Sequence, residues 1–233
     1  MAEMSPRPDG PHDLDHLDGL LPVAAVRDAG LSVVLASGSR YRAAMLERAG
    51  LGTDIVVDPP EVDERALDHL FDELGPEAFA TVLAQAKADV VAARRPGSLV
   101  IAGDQVGVVD VDGVAVQLTK QPDEDAATAQ LMQMAGTTHR LVNAIVVTRT
   151  DTGVSVVGTD EQVVTMRVFT ESDARDYLSR FEPYDSSGCY RLEDQALMAP
   201  IEPFITSVDG EHPSGVLGLP LPLLGRLLGA LTG

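Results

Sequence analysis

Two patterns of apolar and polar residues alternate along the chain from Leu31 onward. Short β-branched runs bounded by turn residues predict strands, and longer runs with apolar residues three and four apart predict helices. The predicted strands cover residues 32–36, 54–57, 98–102, 105–109, 140–149 and 154–168. The predicted helices cover residues 40–49, 77–94, 123–135, 171–181 and 220–231. This mixture indicates an α/β fold with a mixed sheet, and we treat residues 31–233 as one domain.

Two of the predicted helices carry further local signals. In the helix over 171–181, Thr170 precedes Asp173 by three residues, which is the spacing of a capping box at a helix start. The helix over 77–94 has one predicted buried stripe, made of Phe79, Val82, Leu83, Ala86 and Val90. Lys87 lies beside this stripe, where a lysine commonly extends its ammonium group toward water.

The first 30 residues differ in composition from the rest. They are rich in Pro, Asp and Gly and have few apolar residues, so we expect an acidic, disordered tail. His12 and His16 are four residues apart and could share a helix face with Asp13 and Asp15 as a metal site. A solvated acidic tail is the interpretation that we favour.

Charge and cysteine content exclude several classes of function. The formal net charge of -19 repels nucleic acids and anionic lipid surfaces, so neither is an expected partner. The most apolar stretch, at the C-terminus, contains prolines, glycines and Arg226, which favours a buried helix over a membrane span. The single cysteine, Cys189, excludes an intramolecular disulfide and indicates the reducing cytoplasm. An anionic ligand would therefore need a local cationic pocket.

The segment after the first predicted strand has the properties of a phosphate-binding turn. Ser37, Gly38 and Ser39 form a tight turn, and Ser39 is a good N-cap for the following helix. Unpaired N–H groups in its first turn, together with Arg40 or Arg42, would attract an anion. A serine-capped helix after a strand is also ordinary α/β architecture, so this assignment needs further support.

Acidic and basic residues elsewhere supply that support. Glu61, Asp63 and Glu64 form a short acidic loop after a predicted strand. Asp104 lies between apolar runs, so its charge is expected inside the protein, where a metal ligand or a general base would account for it. Lys87 and Lys120 are candidates for balancing a polyphosphate.

Seven segments taken together resemble a known family: LASGSRYRAAMLERAGL, PPEVDER, LAQAKAD, IAGDQV, the turn at Lys120, SSGCYRLED and GVLGLPL. Their order and spacing are similar to those of the Maf family of nucleoside-triphosphate pyrophosphatases, over residues 31–230. The resemblance implies an inosine-triphosphatase-like α/β fold, in which a mixed sheet flanked by helices has a central cleft. It also implies hydrolysis between the α and β phosphates with Mg²⁺ or Mn²⁺, and a homodimer would fit the family.

Residue by residue, the resemblance assigns roles that we state as expectations. Glu64 and Asp104 would hold the metal and, with Lys87 and Lys120, form the catalytic set. The substrate-binding set would be Ser37, Ser39, Arg42, Arg191 and Glu193. The chain departs from the family where Pro-Arg or Pro-Trp is replaced by Arg40 and Tyr41, and where Gly-Lys-Pro becomes Thr119-Lys120-Gln121.

The expected substrate depends on the subgroup. Asp104-Gln105-Val106, with Arg191 and Glu193, is similar to the 7-methyl-GTP pyrophosphatase subgroup, whereas dTTP/UTP members typically have Asp-Thr and a later Gln. A carboxylate at Glu193 accepts hydrogen bonds from N1–H and the 2-amino group of guanine and favours a cationic methylated ring. A surface acid at Glu193, a dTTP/UTP pyrophosphatase and a non-catalytic nucleotide-binding regulator of septum formation remain the alternatives.

Overall fold

The computed structural model of the chain describes residues 17–52 and 55–232. Within them the strands are β1 (Ser32–Ala36), β2 (Val56–Val57), β3 (Ser98–Val111), β4 (Val114–Leu118), β5 (Thr138–Arg149), β6 (Val154–Met166) and β7 (Ile205–Asp209). The α-helices are α1 (Val23–Asp28), α2 (Arg40–Leu46), α3 (Phe71–Ala92), α4 (Glu124–Met134), α5 (Glu171–Phe181) and α6 (Leu221–Thr232). A π-helical turn (Glu47–Leu51) continues α2, and 3-10 turns cover Glu64–Leu70, Glu193–Leu197 and Pro213–Gly215.

The strands form one mixed sheet in the order β2-β1-β3-β5-β6-β7, with β4 paired to β3. β1 runs parallel to β2 and β3, whereas the pairs β3–β5, β5–β6, β6–β7 and β3–β4 are antiparallel. The predicted α/β class with a mixed sheet is therefore confirmed. The capping box at the start of α5 is confirmed as well, because the side chains of Thr170 and Asp173 each accept a backbone hydrogen bond from the other residue.

One edge of β3 changes neighbour halfway along the strand. β1 pairs with Ser98–Ala102, and β4 pairs with Gly107–Val111. Between these stretches, residues 103–106 have no strand partner on that edge within the described part of the chain. This gap leaves backbone groups of β3 open in the middle of the sheet, and the candidate site lies there.

β3 is one continuous strand, so the prediction of separate strands over 98–102 and 105–109 is wrong. That prediction treats Gly103 and Asp104 as turn residues, but both are paired with β5. A Cβ at position 103 would lie 2.7 Å from Cδ1 of Ile145 and 3.3 Å from the Ala144 carbonyl oxygen, so glycine fits this position without a shift of its neighbours. A glycine inside a strand can therefore indicate a close approach of the neighbouring strand instead of a turn.

Alternation along β3 divides the core between the two faces of the sheet. Leu99 and Ile101 pack in a cluster with α1, α2 and α6. Val100 and Ala102 pack on the other face against α3. Continuing the alternation places Asp104 on the α3 face and Gln105 on the opposite face. A third cluster joins α4 and α5 to the β4 end of the sheet.

The buried face of α3 is rotated from the predicted stripe. Phe79 and Leu83 are buried as expected, but Val82, Ala86 and Val90 are only partly buried. The remaining buried positions of this face after Phe79 are Ala80, Ala84, Lys87, Ala88 and Val91. Lys87 is therefore within the buried face, and its ammonium group must find partners inside the protein.

Residues 17–30 do not form the expected tail. Leu17, Leu21 and Val26 are buried in the cluster that contains α6, and Arg27 Nη2 donates to the carbonyl of Gly50 at 3.2 Å. The tail prediction is wrong for this stretch because three well-spaced apolar side chains suffice to anchor it. Residues 1–16, which include the His12 and His16 candidate site, lie outside the described residues.

Two strands were not predicted. β4 forms a hairpin with β3 across Asp112 and Gly113, both with positive φ. Asp-Gly is a common signal for such a two-residue turn, so the hairpin of β3 and β4 was predictable from the sequence. β7 lies at the other edge of the sheet, and β6 is its one strand partner among the described residues.

Candidate active site

The turn after β1 has the predicted local structure. The Ser39 side chain caps α2 by accepting a hydrogen bond from the Arg42 N–H at 3.4 Å. Ser37 Oγ accepts from the Ser39 N–H at 3.2 Å and from Arg42 Nη1 at 3.4 Å. The two serines therefore shape the turn and orient the guanidinium group of Arg42.

Arg42 reaches the gap in the sheet. Its Nη1 atom donates to the Gly103 carbonyl at 2.8 Å, a group that β1 and β4 leave unpaired. Burial lowers the pKa of Arg42, and the nearby carboxylates of Asp104 and Glu64 oppose this shift. Gly218 packs against the guanidinium group, since a Cβ there would lie 2.9 Å from Nη2. This contact brings the GVLGLPL segment to the site.

Asp104, Lys87 and Glu64 form a cluster on the α3 face of the sheet. Lys87 Nζ lies 2.5 Å from Asp104 Oδ1 and 2.8 Å from Glu64 Oε1. Asp104 and Lys87 are buried, whereas half of the Glu64 side chain is exposed. Burial raises the pKa of Asp104, although Lys87 and Arg42 partly offset this effect. A buried carboxylate with a raised pKa is typical of groups that exchange protons.

An ion-pair clamp holds the Glu64 loop against α3. Asp58, just after β2, pairs with Arg94 Nη2 at 2.5 Å and with Arg95 Nε at 2.6 Å at the end of that helix. Arg94 also donates to the Pro59 carbonyl at 2.9 Å. Because Lys87 lies on the same helix, the clamp ties the acidic loop to the lysine that Glu64 contacts.

A cavity of about 530 Å³ is lined on one side by the serine turn after β1 and on another by Lys120, which follows β4. Its charged lining residues are Arg40, Lys120, Asp185, Arg191 and Glu193, and Ser39 and Gln105 lie on its wall. The structure therefore brings Ser39, Lys120, Arg191 and Glu193 to one cavity. Ser37, Arg42, Glu64, Lys87 and Asp104 form the adjoining group. A cavity of this volume suits a nucleotide-sized ligand.

Glu193 and Arg191, both predicted to bind substrate, line the cavity. Interaction with the Glu193 carboxylate, with partial burial, raises the pKa of Tyr41. Arg191 Nη2 pairs with Asp185 at 2.5 Å. Tyr41 follows Arg40 on the helix that begins at the serine turn, and no role was predicted for it. Its place in the first turn of the helix that Ser39 caps was the available sequence signal.

Gln105 is a second residue whose contacts the sequence did not reveal. Its Nε2 atom donates to the Gly215 carbonyl at 2.9 Å and lies 3.1 Å from Asn143 Oδ1. Asn143 also donates to Gly215 at 2.9 Å. Gln105 thus attaches the glycine-rich segment before α6 to the sheet, beside the cavity.

The acids of the site could hold a divalent cation only with help from other ligands. Among the described residues, no group of three or more His, Cys, Asp or Glu side chains is arranged to hold a metal ion. Glu64 and Asp104 nevertheless share one cation, the Lys87 ammonium. Two carboxylates fit Mg²⁺ when water and phosphate oxygens supply the remaining ligands. The donor set therefore fits the implied metal in the presence of a phosphate ligand.

His139 supports the cavity wall from beneath and should make stability depend on pH. Its Nε2 atom lies 2.6 Å from the Tyr190 hydroxyl, while its buried Nδ1 atom has no partner among the described residues. Burial lowers the pKa of His139 to about 4. The folded state thus disfavours the proton that the unfolded chain binds near pH 6.5.

We expect stability to fall as the pH decreases from about 6.5 toward 4, by about 2 kcal/mol at pH 5. Urea unfolding of wild type and His139→Gln at pH 5 and pH 7 checks this. His139→Gln should lose this decrease in the free energy of unfolding between pH 7 and pH 5. His69→Gln, at an exposed histidine, should keep it. Equal pH dependence in all three proteins would contradict the prediction.

Comparison with known proteins decides the family. The family model for Maf-like protein matches residues 32–231. The chain belongs to the Maf family. It is 38% identical over 208 residues to a 7-methyl-GTP pyrophosphatase of Rhizobium etli, covering 86% of this chain and 98% of the relative. It is 37% identical over 201 residues to a nucleoside triphosphate pyrophosphatase of Streptomyces coelicolor, covering 85% and 90%.

A further Maf relative, a 7-methyl-GTP pyrophosphatase of Nitrosococcus oceani, is 34% identical over 197 residues and covers 84% of this chain and 92% of the relative. The family expected from the seven segments is thus confirmed. Over the described residues, none of the helices is both long enough and apolar enough for a membrane span.

Proposed function

We propose that the chain is a nucleoside-triphosphate pyrophosphatase that releases a nucleoside monophosphate and pyrophosphate. The observation that carries the proposal is the cluster of Arg42, Lys87, Glu64 and Asp104 at the gap in the sheet, next to a nucleotide-sized cavity. The names of the Maf relatives support the same reaction class.

Local positive charge would hold the polyphosphate. In a chain of net charge -19, the cavity is lined by three cations, Arg40, Lys120 and Arg191, against two carboxylates. Arg42 and Lys87 lie just beyond, in the adjoining group. Fixed cations at this position stabilise the charge that develops on the leaving pyrophosphate.

Asp104 is the proposed general base. Its carboxylate takes a proton from the attacking water as the water oxygen forms a bond to the α phosphorus. The bond from the α phosphorus to the bridging oxygen breaks, and its electron pair leaves with pyrophosphate. The buried position and raised pKa of Asp104 suit this proton transfer near neutral pH.

Glu64 and Asp104 are the residues that would hold the divalent metal. When bound, Mg²⁺ or Mn²⁺ neutralises phosphate charge and lowers the pKa of a coordinated water. Lys87 already lies between the two carboxylates and keeps them together through its ammonium group. The cytoplasmic location and the homodimer remain predictions.

We propose 7-methyl-GTP, or another modified nucleotide, as the preferred substrate class. The Glu193 carboxylate on the cavity wall offers acceptors and negative charge to a methylated guanine. Two relatives carry the corresponding name. A dTTP or UTP preference is the second candidate, and a glutamine at 193 would favour it because an amide offers both a donor and an acceptor.

A panel of nucleoside triphosphates with Mg²⁺ and Mn²⁺ tests the function and the base preference together. We expect pyrophosphate release to be fastest with 7-methyl-GTP. In Glu193→Gln, kcat/KM for that substrate should fall about 10- to 100-fold, because a charge-assisted hydrogen bond is lost.

The matched control is Glu47→Gln, at an exposed glutamate, which should keep the wild-type preference. Faster turnover of dTTP or UTP by wild type would favour the second candidate. Absence of metal-dependent turnover on every triphosphate would support a non-catalytic nucleotide-binding regulator instead.

A further inference from the structure

Lys120 lies on the cavity wall in a segment that has no regular secondary structure. It follows the end of β4 at Leu118 and precedes α4, and its side chain is exposed. Where the resembled family has Gly-Lys-Pro, this chain has Thr119-Lys120-Gln121. Pro122 lies one residue further from Lys120 than the proline of the family pattern, so its ring does not fix the φ angle of the residue that follows Lys120. Hydrogen bonds to Thr119 and Gln121 are therefore the contacts to consider for the direction of Lys120.

A buried amide on α4 supplies the contacts to Thr119. Gln130 is 7% exposed, and its Oε1 atom accepts from the Thr119 N–H at 3.0 Å. Its Nε2 atom donates to the Thr119 carbonyl at 2.9 Å. One side chain therefore binds both backbone polar groups of the residue that precedes Lys120.

Gln121 completes the same network from the other side of Lys120. Its Nε2 atom donates to Gln130 Oε1 at 2.9 Å and to Thr119 Oγ1 at 3.0 Å. Cys189 Sγ accepts from Gln130 Nε2 at 3.6 Å. The lysine turn is thus tied to the segment that carries Arg191 and Glu193.

We propose that Gln130 is a positioning residue that directs Lys120 toward the polyphosphate. The inference rests on the proposed function, because it assigns the target of Lys120 as a phosphate group. Gln130 lies in the protein interior behind the turn and acts through Lys120.

Gln130→Met tests the proposal because methionine has a similar length and no amide. Thr119 is exposed, so water can bond to its freed backbone groups and the fold should survive. We expect kcat/KM to fall about tenfold, mainly through KM, because a displaced binding group loses much of its effect. Gln133→Met, at an exposed position on the same helix, should retain wild-type kinetics.

A double-mutant cycle with Lys120→Ala separates positioning from a general structural effect. If Gln130 acts through Lys120, adding Gln130→Met to Lys120→Ala should lower kcat/KM by less than about twofold. An equal loss in both backgrounds would overturn the proposal, as would wild-type kinetics of Gln130→Met alone.

The same cycle is measured on the dissociation constant of the α,β-methylene analogue of GTP by calorimetry. If the wild-type chain binds the analogue but hydrolyses no triphosphate, the proposed function is overturned. Coupling between positions 130 and 120 in the dissociation constants would still support the positioning role of Gln130 in that case. Additive effects on binding, or no detectable binding, would overturn the inference.

Discussion

Replacing Asp104 with asparagine is expected to lower kcat about 100-fold or more, because general-base catalysis is lost. The side-chain oxygen of the introduced asparagine can still accept from Lys87, whose Nζ lies 2.5 Å from Asp104 Oδ1 in the wild type. The cluster should therefore keep its geometry while losing the group that accepts the proton. Steady-state pyrophosphate release at saturating substrate measures the effect.

The stability of Asp104→Asn provides the control for folding. The folded state raises the pKa of Asp104. When the pH rises above the ordinary pKa of an aspartate, the unfolded chain ionises this group more easily than the folded protein does, and the free energy of unfolding falls. Asparagine removes this cost of ionisation but also removes one of the two carboxylates that compensate the buried Lys87, so these effects oppose each other, and the variant should still melt in a single cooperative transition at pH 7.

Asp110→Asn, at an exposed position on the same strand, should keep wild-type turnover. A rate for Asp104→Asn above about a tenth of wild type would refute the assignment of the general base, since such groups typically contribute at least about 100-fold.

Lys87→Met is expected to lower kcat/KM about 100-fold or more. The substitution removes an ammonium group that is proposed to bind phosphate and that also pairs with the carboxylates of Glu64 and Asp104. Glu64 would lose its partner at 2.8 Å, and Asp104 would keep Arg42 as a nearby cation. The pKa of Asp104 should then rise further, since its ionised form loses its nearest compensating charge.

The pH profile distinguishes this explanation from simple loss of a binding group. In Lys87→Met, the acid limb of kcat/KM should move to higher pH, because the base must be deprotonated to act. Arg65→Met removes an exposed cation next to Glu64 and should change neither the rate nor the profile. A large rate loss with an unmoved acid limb would contradict the proposed coupling of Lys87 to Asp104.

The sequence predicted much of the site because its chemistry is unusual for this chain. Lys87 and Lys120 are the only two lysines among 17 basic residues, and both reach the candidate site. Asp104 was recognisable as a charge between apolar runs, and Ser39 as a helix cap. Local patterns sufficed in each case, and the seven segments together identified the family.

Other parts of the fold depend on contacts that local patterns do not contain. Gly103 has the local signal of a turn residue, but it lies inside β3, where a Cβ would crowd Ile145 and the Ala144 carbonyl oxygen of the neighbouring strand. The sequence places Lys87 beside the apolar stripe of its helix, and its burial follows from the way α3 packs in the folded protein. The bonds from Gln130 to Thr119 span 11 residues and depend on how α4 packs.

The labelling pattern of hydrolysis in ¹⁸O-water tests the central claim most directly. If the Asp104 cluster activates water for attack on the α phosphorus, mass spectrometry should find one ¹⁸O atom in the nucleoside monophosphate and none in pyrophosphate. Label in inorganic phosphate alongside a nucleoside diphosphate, or in pyrophosphate, would place the attack at another phosphorus and contradict the account.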